Sequence, residues 1–440
     1  MRTRGVLIAL GWLLLGCGEE LVEPGRMRLT SGHEPDPWTL SPAAVRATLE
    51  KESASGDLTA LGELALPVSS FGLGEGAAGR FVLTGFDAAD LPRLRARSLL
   101  VDPAGLAGSS LPLFVSRSGE LGRPPGELST DLGKWPVATT IATRHLLVAR
   151  GAPTGLVLDG YDFAAWRPIA PPPALDCGRA SCEPRTLAVS QGSLVLALGD
   201  GWGFWFDPIV GDSSPIDEPQ GLTSFALVAG GAAVEAPDGA VYVVGGTRLD
   251  SPSASVLAIA ADGTLSHLAL TTARQGAAAT WIEGRGLLVL GGGDTTVAGA
   301  ELLADGSKAF VPLPQAPDES RGAAVVALDS TRILRVGGRV GSDPAPTVEL
   351  SLGCAASCSP TNAGEVVPLS PAAAFALPGG GTLVVGDDAS GTTGVIRWQA
   401  GASVAVPLRE PRSGATALWM PTGHVGVIGG GPRTIELYVD

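Results

Sequence analysis

Two hydrophobic patterns alternate with turn residues along this chain. The first is one unbroken apolar run, Gly5 to Gly16, between Met1-Arg2-Thr3-Arg4 and Cys17. The second is a short aliphatic run that stops at glycine. It occurs seven times: Leu146 to Gly151, Leu194 to Gly199, Val241 to Gly246, Leu287 to Gly292, Ile333 to Gly338, Thr382 to Gly386 and Val425 to Gly430. Counted from the first glycine of each, the spacings are 48, 46, 46, 46, 49 and 43 residues. Short aliphatic runs bounded by turn signals read as strands. A period of this size leaves room for about four short strands per unit. No such unit buries its faces alone, so the units must stack on one another. The expected fold is all-β, a seven-bladed propeller over residues 117–440, with six or eight blades as the neighbouring alternatives.

Ahead of the repeats, residues 58–116 carry further strand-like runs and read as a small β module. Residues 17–57 are rich in Glu, Pro, Ser and Gly and read as a flexible tether. One short helix is expected inside it. Ser41 can cap, Pro42 suits the first helical position and Ala43 to Glu52 propagate. The last unit has strands near 413–420, 424–429 and 434–439 but no outer one. The stretch Leu111 to Gly126 looks like the outer segments of other units and is expected to close the ring on the last blade.

Several units carry more than the glycine. Arg274-Gln275-Gly276-Ala277, Arg321-Gly322-Ala323-Ala324 and Arg412-Ser413-Gly414-Ala415 precede their double glycines by 16 or 17 residues. Ala300-Glu301-Leu302, Thr347-Val348-Glu349-Leu350 and Thr434-Ile435-Glu436-Leu437 follow them. This arrangement resembles the kelch repeat, a four-stranded propeller blade whose double glycine ends the second strand. The tyrosine and tryptophan usual after that glycine pair are mostly missing, and the first, second and sixth units lack the second glycine.

The leader has a positive start and an apolar run of about a dozen residues, too short to span a bilayer as a helix. Leu14-Leu15-Gly16-Cys17 resembles the bacterial lipobox. The resemblance implies that residues 1–16 are a signal peptide, that Cys17 is the lipid attachment site, and that acyl chains on it, such as palmitate, anchor the protein in a cell-envelope membrane. More than one chain is needed for stable anchoring. Gly18 lacks the aspartate that marks inner-membrane retention, which favours the outer membrane, on its periplasmic or surface face. The alternative is an ordinary signal peptide.

Composition narrows the partners. The 440 residues hold 62 glycines and 35 prolines, with a net charge of −14. Lysine occurs only at Lys51, Lys134 and Lys308, so nucleic acid is not an expected partner, which would need a basic patch. Apart from Cys17, the cysteines form two local pairs, Cys177 with Cys182 and Cys354 with Cys358. Disulfides fit an exported protein. Zinc would need four converging ligands, and no histidine neighbours either pair. No cofactor or metal is expected.

No catalytic constellation emerges. His33, His145, His267 and His424 fall in different segments, and no phosphate loop or nucleophile elbow has its required context. Asp200 and Asp387-Asp388 follow inner strands and read as solvated turns. Kelch-like copper oxidases use tyrosines, histidines and a cysteine, a set that cannot be carried onto this chain. One aromatic cluster, Trp202-Gly203-Phe204-Trp205-Phe206, offers Trp202 and Trp205 as candidate ligand-binding residues, with packing between blades as the alternative. The expected protein is a lipid-anchored monomer acting as a non-catalytic binding or scaffold propeller for a protein or polysaccharide. The alternatives are a carbohydrate-active enzyme with a central-channel site, or a structural envelope component.

Overall fold

The computed structural model describes residues 25–440, except 74–75, 107, 153–154, 170–175, 178–181, 191, 209, 246–251, 294–298 and 354–357. Seven antiparallel sheets of four main strands follow one another in chain order and form a seven-bladed β-propeller. Blade 1 runs from Val137–Ile141 to Arg167–Ile169, and blade 4 from Ala278–Ile282 to Phe310–Pro312. Blade 5 carries an added two-residue strand, Asp343–Pro344, on its second strand. The first strands of the blades line the axis. Buried aliphatic clusters lie between neighbouring blades, such as Leu288 and Leu290 of blade 4 with Ile333 and Val348 of blade 5. This explains why the second strands are so apolar. Gly286–Leu290 is buried throughout, because it has a blade on either side.

The recurring glycine sits at or near the end of the second strand in every blade, for two different reasons. In blade 4, Gly291 and Gly292 have φ of 73° and 65°, which only glycine adopts readily. In blade 6, Gly386 keeps an extended backbone, but a Cβ there would lie 2.3 Å from the Pro371 carbonyl oxygen. In blade 4 torsion and close approach both select glycine, since a Cβ on Gly291 would also lie 2.7 Å from the Ser320 carbonyl oxygen; in blade 6 close approach alone selects it.

The ring is closed by a strand from before the repeats. Glu120–Gly122 pairs with the last strand, Glu436–Val439, in the register Gly122 with Leu437 and Glu120 with Val439. The expected closing segment is split, however. Its first half, Ser110–Arg117, is an inner strand of the N-terminal sheet.

That sheet has seven strands and begins well before residue 58. Its order is Leu58–Leu64, Arg46–Glu52, Arg80–Phe86, Pro92–Arg97, Ser110–Arg117, Arg26–Thr30 and Ser70–Gly72. The reading of 17–57 as a tether with a helix is therefore corrected from Arg26 onward. The stretch read as helical is extended, because Ala47 and Leu49 alternate into the core while Phe86 to Arg80 pairs along one edge and Leu64 to Leu58 along the other. Period-two burial and two hydrogen-bonding partners override modest helix propensity. The only helical turn in that region is Pro37–Thr39. The sheet docks on blades 7 and 1 through fully buried Phe114, whose ring lies 5.4 Å from that of Trp166. Arg123 bridges Glu34 and Glu410 at 2.9 Å each, tying the N-terminal segment to blade 7.

Candidate functional site

The first strands enclose a channel with two unlike mouths. Where these strands begin, residues from all seven blades surround an open cavity of about 700 Å³. Its walls include Val137, Leu187 and Ala233, and among the described residues its charged lining is Arg185, Arg321 and Arg339, with no carboxylate or histidine. Where the first strands end, the other mouth has about 730 Å³ and one residue of each charge, Glu235 and Arg80. Arg80 comes from the N-terminal sheet. Burial holds its pKa below the usual arginine value, aided by nearby Arg97 and opposed by Glu52.

Backbone contacts hold the arginine-lined mouth in shape. The Gly322 N–H donates to the Gly276 carbonyl at 2.9 Å, and the Trp135 N–H to that of Gly414 at 2.6 Å, each from one blade to the next. The glycines at 276, 322 and 414 all have positive φ, between 62° and 72°. They occupy one structural position and give the true alignment of the repeats.

That alignment separates the arginines that looked equivalent in sequence. Two residues before the glycine stand Arg274 and Arg412, both fully buried. Arg274 pairs with buried Glu301 at 2.9 Å and donates to the carbonyl of Gly291 at 3.0 Å. Arg412 pairs with buried Glu436 at 3.0 Å and donates to that of Gly429 at 2.8 Å. Each pair ties the loop before a blade to the glycine turn, a structural role. In blade 5 the equivalent position is Ser320. Arg321 lies one residue later and is exposed at the mouth. The space in blade 5 is taken by Arg335 of the second strand, which bonds Asp318 at 3.2 Å and the Pro346 carbonyl at 3.1 Å.

The aromatic cluster lies elsewhere. Trp202 and Trp205 stand on opposite sides of the third strand of blade 2. Trp202 is 7% exposed, stacks on Phe204 and packs toward blade 1; Trp205 packs partly buried toward blade 3. One edge of Trp202 also lines a 450 Å³ cavity with Asp217 and Glu218, away from the channel. The two tryptophans are not brought together.

Cys177 and Cys182 form a disulfide with Cα atoms 5.8 Å apart. Cys17 and Cys354 lie outside the described residues, so the lipid site and the pairing of Cys354 with Cys358 are not described. The histidines are separate. His33 contacts the Gly126 carbonyl at 3.2 Å, and His267 contacts Ser255 at 3.2 Å. Burial lowers the pKa of His145, and it lowers that of His424 to about 3, with Arg97 and Arg95 adding to the latter shift. Asp387 is committed to Thr393, Gly414 and the Trp135 indole. Among the described residues no group of three or more His, Cys, Asp or Glu is placed to hold a metal, and no helix is long and apolar enough to cross a membrane.

No protein-family model matches this sequence, and no curated protein matches it. Solved structures that align with this chain include three distant likenesses. A chain of a mitotic checkpoint complex aligns at 10% identity and a TM-score of 0.47, over 73% of this chain and 92% of that one. A gluconolactonase from Xanthomonas campestris aligns at 14% identity and 0.40, over 73% and 88%. BBS1N in complex with ARL6DN aligns at 11% identity and 0.42, over 70% and 94%. Likenesses this remote carry no site or activity to this chain, and the propeller rests on its own sheet order.

Proposed function

We propose that this protein is a non-catalytic binding propeller of kelch type, exported and held on a cell-envelope membrane by lipid on Cys17, and that it takes its ligand at the channel mouth where the first strands begin. The observation that carries the binding half is the mouth itself. All seven blades contribute to one open cavity, hydrogen bonds between blades fix its rim, and among the described residues its lining is apolar and cationic, with Arg185, Arg321 and Arg339 as its charged groups. Such a lining suits recognition of a ligand by charge and shape. A cavity of this size suits a small ligand or a short segment of a larger one.

The anchoring half rests on the leader sequence and on the Cys177–Cys182 disulfide, which fits an oxidising compartment. Metabolic labelling with palmitate tests it. Wild type incorporates label and sediments with membranes, and Cys17→Ser does neither. Label retained in Cys17→Ser overturns the anchor. For the mouth, Ala233→Trp places a bulky ring on an exposed channel position without disturbing a blade core. Ligand capture unchanged by Ala233→Trp overturns the mouth as the binding surface.

A further inference from the structure

Resting on the channel mouth as binding surface, we propose that Arg321 and Arg339 form an oxyanion clamp for an acidic peptide segment of a protein partner. The two arginines are cross-strand partners on the first and second strands of blade 5, directly opposite one another in register. Both line the same mouth. Side chains so placed have Cβ atoms about 5 Å apart, and like charges there disfavour the pairing. The ion pairs of this blade are Arg332 with Asp329 and Glu349, and Arg335 with Asp318; among the described residues none includes Arg321 or Arg339. The Arg339 guanidinium donates to the Ser342 carbonyl at 3.1 Å. Each fork therefore keeps donors for a ligand. Arg185 adds a third guanidinium, partly neutralised by exposed Glu183 and Asp200.

The whole chain carries −14, yet among the described residues the lining of this mouth holds three guanidinium groups and no carboxylate, Glu183 and Asp200 standing behind Arg185. A concave site of one sign concentrates the opposite charge. Two guanidinium forks side by side match carboxylates, to which arginine binds bidentately. The rest of the lining selects the body of the ligand. Of the three hydroxyl side chains present, Thr416 donates to the Pro136 carbonyl at 2.5 Å and Thr186 accepts from the Gly230 N–H at 2.9 Å. The floor beside them is Val137, Leu187 and Ala233. A sugar chain needs many free polar partners, and this surface offers few. A peptide with carboxylates beside apolar side chains meets both halves of it.

The test uses fluorescence anisotropy on the full protein with three labelled probes: a short peptide alternating glutamate with leucine, the same peptide with glutamine for glutamate, and an oligogalacturonate. Each is titrated against wild type, the double variant Arg321→Gln/Arg339→Gln, and Ala233→Trp, after thermal melts show that all three are folded. The glutamate peptide is expected to bind wild type at least about tenfold more tightly than the double variant. It is also expected to outbind the glutamine peptide by a similar factor and to weaken as salt rises. No binding of the glutamate peptide to wild type, or equal binding to the double variant, overturns the clamp. If binding in the latter case still fails in Ala233→Trp, the mouth stands as the binding surface and only its anionic preference falls. Binding indifferent to all the substitutions removes both. Arginine-dependent binding of the oligogalacturonate without the peptide overturns the peptide assignment in favour of an acidic polysaccharide.

Discussion

Blades 4 and 7 and blade 5 use nearly the same residues to opposite ends. In blades 4 and 7 an arginine two positions before a left-handed glycine is fully buried against a third-strand glutamate. Its remaining donors hold the carbonyl of the glycine that ends the second strand. In blade 5 the arginine is one residue nearer the glycine, and the third-strand position opposite Arg335 is Val348 rather than an acid. A shift of one residue along a strand sends a side chain to the other face. Arg321 consequently leaves the core for the channel mouth, and Glu349 turns outward to Arg332. Identical chemistry is structural in two blades and available for recognition in the third.

The sharpest way to break this comparison is to remove one acid from each kind of blade. Glu436→Gln leaves Arg412 buried without its counter-charge, and also weakens the bonds from the Arg409 and Glu410 N–H groups. The expected loss is about 3–5 kcal/mol in chemical denaturation. Glu349, whose side chain is 35% exposed, should cost under about 1 kcal/mol when changed to Gln. Equal losses would show that the two pairs are alike after all.

Next comes His424, buried in blade 7 beside the N-terminal sheet. Its folded pKa of about 3 lies below the ordinary value of 6.5. As pH falls, the unfolded chain takes up the proton first, so this residue's contribution is whole above about pH 6.5. It is lost at about 1.4 kcal/mol per pH unit toward pH 3. Stability measured at pH 7, 6 and 5 should fall less steeply in His424→Gln than in wild type.

Opening the Cys177–Cys182 disulfide releases a very short loop, so Cys177→Ser/Cys182→Ser should cost about 2 kcal/mol on chain-entropy grounds. A wild-type melting temperature unchanged by reductant would contradict that. The smallest effect on stability is expected from Arg321→Gln, within about 0.5 kcal/mol, because its side chain is exposed. A loss near that of Glu436→Gln would place Arg321 in the core and sink the contrast between blades.

Much of the architecture was legible in the order of residues. The seven aliphatic runs stopped by glycine mark the seven second strands, since only a strand covered on both sides reads as continuously apolar. The cysteine spacing marked the Cys177–Cys182 bridge. The start of the ordered chain was not legible. Arg46–Glu52 has few apolar residues, and its strand identity comes from partners on both edges that lie elsewhere in sequence. The aromatic run of blade 2 drew attention to Trp202 and Trp205 as a set, although a three-residue separation on a strand places them on opposite faces.

Local sequence alone determined the repeat, its period and its all-β character, because strand burial and turn chemistry are properties of neighbouring residues. Which arginine is buried, and which faces a channel, was decided only by tertiary structure. That outcome depends on cross-strand register, and register is set by pairing between segments far closer in space than a one-dimensional motif can show.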